Sequence, residues 1–174
     1  MTPKVVLVGL PGAGKSTSGR RLAKILAVPF ADSDDLVEAA TGRGVRAIFA
    51  ESGEDAFRAL EAAAVTEALT QFDGVLALGG GALTTPATRA ALQASGAPVV
   101  VLRATLETLG DRVGDGRSRP LLTDDPPARL AALAEQRKHL YDEIAAFTVD
   151  TDGRTPGQVA ATVAARLHDR EVRT

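Results

Sequence analysis

The sequence predicts an α/β fold of three layers, a central five-stranded parallel sheet flanked by helices on both faces. Three observations carry this. Apolar runs and stretches of helical spacing alternate along almost the whole chain, the pattern of a parallel sheet built from strand–helix units. The first run, Val5-Val6-Leu7-Val8, is apolar at every position, as a strand covered on both faces must be. It leads straight into Gly9-Leu10-Pro11-Gly12-Ala13-Gly14-Lys15-Ser16-Thr17, which fits G-x-x-x-x-G-K-[ST], a loop that joins a strand to a helix.

The elements follow in order. Ser18 to Leu26 has helical spacing, and Val28-Pro29-Phe30-Ala31 reads as the second strand, ending at Asp32-Ser33-Asp34-Asp35. A helix is expected from about Asp34, through Leu36, Val37 and Ala40, with Gly42 as its C-cap. Val45 to Phe49 makes a short helix. After Gly53, the stretch from Glu54 to Thr70 sets Phe57, Leu60, Ala64 and Leu69 near one helical face. Val75-Leu76-Ala77-Leu78 is the third strand and runs into Gly79-Gly80-Gly81. A helix over Pro86 to Ala94, a strand over Pro98 to Leu102 and a helix over Thr105 to Val113 come next. From Gly114 to Pro127 the pattern gives way to Gly, Pro, Asp and Arg, with Leu121 and Leu122 as the strong hydrophobes. A loop of this length in a compact domain is expected to be functional or mobile, and a lid over about 113–125 fits it. Arg129 to Ala146 forms a helix, Phe147 to Asp150 the fifth strand and Thr155 to His168 a closing helix. With no internal repeat or linker, residues 1–174 are expected to form one domain.

Composition excludes several function classes. At 174 residues and 45% hydrophobic, the chain is large enough to bury a real core. A net charge of −2 gives no global field for nucleic acid or an anionic membrane, and 3% aromatic residues are too few for a base-stacking surface. Cysteine is absent, which removes disulfide frameworks and thiolate zinc sites. No charged-then-apolar leader precedes Val5 and no apolar run approaches ~18 residues. The expected setting is the cytoplasm, with no nucleic-acid or membrane partner.

The chemistry of the Gly9–Thr17 loop is local. Its small residues let successive backbone N–H groups converge on phosphate oxygens, and the following helix turns its positive end toward them. Lys15 then reaches the β/γ-phosphates and the Ser16 hydroxyl ligates Mg²⁺, so a nucleoside triphosphate is expected on Gly12, Ala13, Gly14, Lys15, Ser16 and Thr17. The third strand ends in Gly79 without an Asp, so the carboxylate behind the metal must come from elsewhere. Asp32, at the carboxyl end of the second strand, is the natural candidate, and Asp34 is placed to meet an acceptor hydroxyl. Helix capping by Ser33, Asp34 and Asp35 explains the same residues equally well. Gly79–Gly81 reads either as a close backbone approach to a ligand or as a flexible turn. Arg58, among apolar neighbours, reads by itself as a snorkelling stem or half of a helix ion pair, and Arg119 and Arg137 are unremarkable singly.

The ordered set of motifs resembles the shikimate kinases over roughly residues 4 to 165. The matching pieces are residues 9–17, Asp32-Ser33-Asp34, and Gly53-Glu54 followed by Phe57-Arg58 and Glu61. Leu78-Gly79-Gly80-Gly81-Ala82, Arg119-Pro120-Leu121-Leu122, Arg137 with Leu140-Tyr141, and Val149-Asp150-Thr151 with Arg154 and Pro156 complete them. The resemblance implies a P-loop kinase fold, related to nucleoside-monophosphate kinases, with a substrate-binding helical region at about 33–61. It implies ATP-dependent phosphorylation of the 3-hydroxyl of shikimate, on the route to chorismate and the aromatic amino acids, with Mg²⁺ as cofactor. Residue by residue, Asp34 would hold the acceptor hydroxyl and act as, or near, the base. Arg58 and Arg137 would clamp the shikimate carboxylate, with the backbone of Gly79, Gly80 and Gly81 completing that pocket. Arg119 would close with the lid beside Lys15, Arg112 and Arg154 would flank the adenine, and Ser16 backed by Asp32 would hold Mg²⁺. A monomer acting on small molecules is expected. Two departures stand out: Arg117 lies two residues before the lid arginine and competes for its role, and Gly110 is a weak helix former in the preceding helix. The alternative reading is a related small-molecule kinase such as a gluconate kinase, whose substrate also carries a carboxylate.

Overall fold

The computed structural model describes residues 1–114, 122 and 125–172. Strands β1 (Val5–Val8), β2 (Phe30–Asp32), β3 (Val75–Ala77), β4 (Val99–Arg103) and β5 (Phe147–Asp150) form one parallel sheet in the order β2-β3-β1-β4-β5. The helices are α1 (Lys15–Leu26), α2 (Ser33–Thr41), α3 (Val45–Gln71), α4 (Pro86–Ser95), α5 (Leu106–Val113), α6 (Pro126–Ile144) and α7 (Pro156–Val172). Successive strand residues point to opposite faces and feed two cores. Val5, Leu7, Val75, Val100 and Leu102 pack with Leu22 of α1, Leu109 of α5, Leu130 of α6 and Val163 of α7. Val6, Val8, Leu76, Val99 and Val101 pack with Val65 and Leu69 of α3, Leu92 of α4 and Tyr141 of α6. Every residue of β1 is buried, as its unbroken apolar run requires. A smaller cluster of Val37, Ile48 and Phe57 joins α2 to α3. None of the described helices is long and apolar enough to cross a membrane.

Several element boundaries differ from the sequence reading, each for a local reason. The first helix begins at Lys15, not Ser18, because Gly14 turns the chain into it from a left-handed conformation with φ 87°. β2 occupies Phe30–Asp32, not 28–31. The Val28 N–H is committed to the Ala23 carbonyl at the end of α1, and Pro29 has no N–H to give. α2 starts at Ser33 with Asp32 as N-cap, and Gly42 ends it as expected with φ 65°. The two helical stretches expected around Gly53 do meet there, across a kink where Gly53 adopts the non-helical φ 83° and ψ 175°, and α3 names both together. α6 begins at Pro126, three residues before Arg129, since the Asp125 side chain caps it and a proline suits its first turn.

The chain leaves β1 for β2 and β3 on one side and later reaches β4 and β5 on the other, so β1 is the topological switch point. Loops at the carboxyl ends of β1, β2 and β3 therefore border one crevice, the place where open α/β sheets take their ligands.

Candidate active site

The loop between β1 and α1 is shaped by glycines. Gly12 and Gly14 have φ 84° and 87°, a region L-residues avoid, and a Cβ on Gly9 would run into the Leu102 carbonyl. α1 starts without a side-chain cap, leaving its first N–H groups for an anion. The Lys15 ammonium donates to the carbonyls of Gly9 at 2.8 Å and Leu10 at 3.1 Å, so it lies back over the loop. Ser16 Oγ donates to Asp32 Oδ2 at 2.5 Å and joins the loop to the end of β2. Asp32 Oδ1 accepts the Asp34 N–H at 3.1 Å. The cap of α2 is therefore Asp32, where the sequence offers Ser33, Asp34 and Asp35, and the same carboxylate backs Ser16.

Asp34, in the first turn of α2, lines a cavity of about 430 Å³ together with Pro11, Arg58, Gly79, Gly80, Gly81 and Arg137. Burial, and then the neighbouring carboxylates of Asp32 and Glu61, raise its pKa to about 6 against the pull of Lys15 and Arg58. Leu122, within the expected lid, is fully buried and lines the same cavity. Arg117 and Arg119 lie outside the described residues.

Arg58 sits on α3 with its guanidinium 5.3 Å over the Phe57 ring. Its Nη1 donates to Glu61 Oε2 at 2.5 Å, and Nε and Nη2 approach Glu54 Oε1 at 3.4 Å. The ion-pair reading of Arg58 is thus correct without competing with a place in the cavity. Glu61 is 1% exposed. Burial pushes its pKa up, while Arg58 and a hydrogen bond from Ser33 pull it back. Arg137, on α6 and 4% exposed, donates to the Gly80 carbonyl at 2.6 Å, beside the Tyr141 hydroxyl at 3.2 Å. Its Nε is buried with no partner among the described residues, and burial lowers its pKa. Burial also pushes the Tyr141 phenol up to about 12, so it remains a donor. Two guanidinium groups therefore border one cavity, one of them short of an acceptor. A carboxylate is the group that suits them.

The three glycines are not a flexible turn. A Cβ on Gly79 would overlap Glu61 Oε1 and lie 3.0 Å from Asp34 Oδ1. One on Gly80 would come within 2.9 Å of Pro11 Cδ, and one on Gly81 would overlap the Arg58 guanidinium. The missing side chains make room for the site's own groups.

Arg112 and Arg154 border a second cavity of about 280 Å³ with Gly12, Gly14, Thr17 and Pro156. Arg112, at the end of α5, donates to the Gly12 carbonyl at 3.2 Å, to Thr151 Oγ1 at 3.0 Å and to the Thr151 carbonyl at 3.0 Å. At the other end of α5, Asp152 accepts from the backbone N–H of Thr105 at 3.1 Å and from its hydroxyl at 2.9 Å. The sequence offers Ser33 as a helix cap and places Glu61, Tyr141 and Thr151 in the matching motifs, but assigns none of them the contacts they make here. Glu61 is a charged residue on the same helical stripe as Phe57, Ala64 and Val65, and the other three lie within the ordered motifs.

A family model described as shikimate kinase matches residues 11–168. The chain belongs to the shikimate kinase family. A shikimate kinase of Salinispora tropica is 51% identical over 167 residues, covering 96% of this chain and 99% of the relative. One from Mycobacterium avium is 48% identical over 168 residues, covering 96% and 94%. Among solved structures, the Acinetobacter baumannii shikimate kinase in complex with shikimate has a TM-score of 0.92 at 34% identity, covering 98% of this chain and 94% of that one. A gluconokinase from Sinorhizobium meliloti 1021 superposes with a TM-score of 0.61 at 19% identity, a likeness of fold alone. The P-loop kinase fold expected from the motifs is therefore the fold of this shikimate kinase family member.

Proposed function

We propose that the protein transfers the γ-phosphoryl group of ATP to the 3-hydroxyl of shikimate, releasing ADP and shikimate 3-phosphate. The observation that carries this reading is the single cavity in which Asp34 faces Arg58 and Arg137, next to the Gly9–Thr17 loop. Phosphoryl transfer asks a protein mainly to position two reactants and neutralise charge. Arg58 and Arg137 hold the substrate carboxylate, which turns the ring so that a hydroxyl meets Asp34. A carboxylate with a pKa near 6 is ionised at neutral pH and can accept the hydroxyl proton as the bond to phosphorus forms. Lys15 exchanges the Gly9 and Leu10 carbonyls for phosphate oxygens. Arg112 and Arg154 flank the adenine. Arg119, from the lid, meets the transferred phosphoryl group.

Ser16 and Asp32 are the residues that would hold Mg²⁺, a hydroxyl and a carboxylate suited to a hard cation. Phosphate oxygens and water would complete the shell of the ion. When bound, the ion neutralises charge on the β- and γ-phosphate oxygens. In this reading the protein is one domain and acts as a cytoplasmic monomer on small molecules alone.

The test is coupled ADP release with shikimate, quinate, gluconate and nucleoside monophosphates as acceptors. Shikimate is expected to give the highest kcat/KM, and a preference for gluconate would overturn the reading. Arg58→Ala is expected to raise the KM for shikimate at least ~10-fold and that for ATP less than ~2-fold, from the loss of a charge-assisted pair. Equal effects on both would make Arg58 structural. The same variant leaves Glu61 a buried carboxylate without its main partner, so a lower melting temperature is also expected.

A further inference from the structure

The parallel pairing of β2 with β3 ends at Asp32 opposite Ala77, because the β2 chain turns into α2 at Ser33. Two residues beyond Ala77, the Gly79 N–H leaves the sheet and enters the candidate site. It donates to Ser33 Oγ at 2.8 Å, so a side-chain hydroxyl continues the ladder where the backbone has turned away. The same hydroxyl gives its own proton to Glu61 Oε1 at 3.2 Å. Ser33 is 0% exposed, so neither bond can be exchanged for water.

We propose that Ser33 is a positioning residue, one Oγ atom that sets the Asp34 turn, the Gly79–Gly81 segment and the Glu61–Arg58 pair relative to one another. The proposal rests on reading this cavity as the shikimate site. The three segments come from the ends of β2 and β3 and from α3, and none of them continues directly into another. Ser33 touches all three: it precedes Asp34, accepts from Gly79 and donates to the carboxylate that holds Arg58. The packing tolerates little slack, since a Cβ on Gly79 would stand 3.5 Å from Ser33 Oγ and overlap Glu61. Losing the hydroxyl leaves a half-buried N–H and a buried carboxylate oxygen each one partner short. The strand end and α3 then drift apart on the acceptor side. The nucleotide loop, held by the bonds of Lys15 and Ser16, moves less.

Three measurements test this. Ser33→Ala is expected to lower kcat/KM for shikimate about 10- to 100-fold while the KM for ATP changes less than ~2-fold. Ser33→Thr, which keeps the hydroxyl, should return kcat/KM to within ~3-fold of the parent. Amide hydrogen exchange should be faster at Gly79 in Ser33→Ala and unchanged at Leu78, whose N–H is bonded to the Leu7 carbonyl. Should Ser33→Ala fail to fold, Ser33→Cys takes its place, with the same selective loss and the same Gly79 exchange expected at smaller amplitude. Unchanged Gly79 protection, or equal losses for both substrates, would overturn the proposal. Failure of the functional reading looks different: the unaltered protein would release no ADP with shikimate, while the exchange result would stand.

Discussion

Asp34→Asn is expected to lower shikimate-dependent turnover at least ~100-fold with ATP affinity nearly intact, the loss that follows removal of a general base. The amide keeps the size of the carboxylate, and the Asp34 N–H bonded to Asp32 belongs to the backbone, so α2 keeps its cap. The parent enzyme should lose activity as pH falls through about 6, where Asp34 takes up a proton, and the residual activity of the variant should lack that acid limb. Stability should move the other way. Burial and two nearby carboxylates hold the folded pKa of Asp34 at about 6, above its ordinary 3.8. Folding thus favours the protonated form, and the cost of the charged form develops between these two values and is complete above the higher one. Asp34→Asn should therefore melt a few degrees (~2–5 °C) above the parent at pH 8 and level with it below pH ~4. Near-normal turnover would remove Asp34 from its role, and a melting gain that ignored pH would remove the electrostatic account.

Gly79→Ala should be nearly as damaging, with kcat/KM for shikimate down ~100-fold or more. The new methyl overlaps Glu61 Oε1 and crowds Asp34 Oδ1 at 3.0 Å. Glu61 is not a loose side-chain end, since Arg58 and Ser33 hold it. Relief must come from displacing the carboxylate clamp or the base, at a cost of about 1–3 kcal/mol as for other overpacked sites. Calorimetry with shikimate should show the lost affinity, and binding equal to the parent would refute the steric argument. Gly110→Ala is the contrasting change. A Cβ there meets nothing within 4 Å inside α5, so the helix should gain ~1 kcal/mol and the melting temperature should rise.

The sheet was legible because β1, β3 and β4 are short apolar runs closed by glycines or polar residues, and nothing in their surroundings opposes that reading. β2 starts two residues later than expected because the Val28 N–H serves the end of α1, a tertiary commitment that no strand pattern records. The phosphate loop, Asp34 and the two arginines were legible as motifs whose chemistry dictates their residue types. Gly79–Gly81 was recognised as important, but the three residues are glycine to admit Glu61, Asp34, Pro11 and Arg58, atoms far away in sequence. Ser33 and Glu61 were legible as a capping hydroxyl and a helical acid within the motifs, without the bond that joins them. Buried polar bonds acquire meaning from what the fold places opposite them, and sequence spacing does not encode that.

The segment joining β5 to α7 carries more than its length suggests. Thr151 takes the far end of α5 through Arg112, Asp152 takes the near end through Thr105, and Arg154 follows on the rim of the second cavity. Two adjacent residues of this short connection thus fasten both ends of a helix from another part of the chain. A residue inserted between Thr151 and Asp152 should make α5 release one of its ends. Length variation and engineered insertions should therefore be tolerated at the open turns around Gly42 and Gly96 and resisted here, a constraint on spacing that leaves most of the side chains outside Thr151 and Asp152 free to vary.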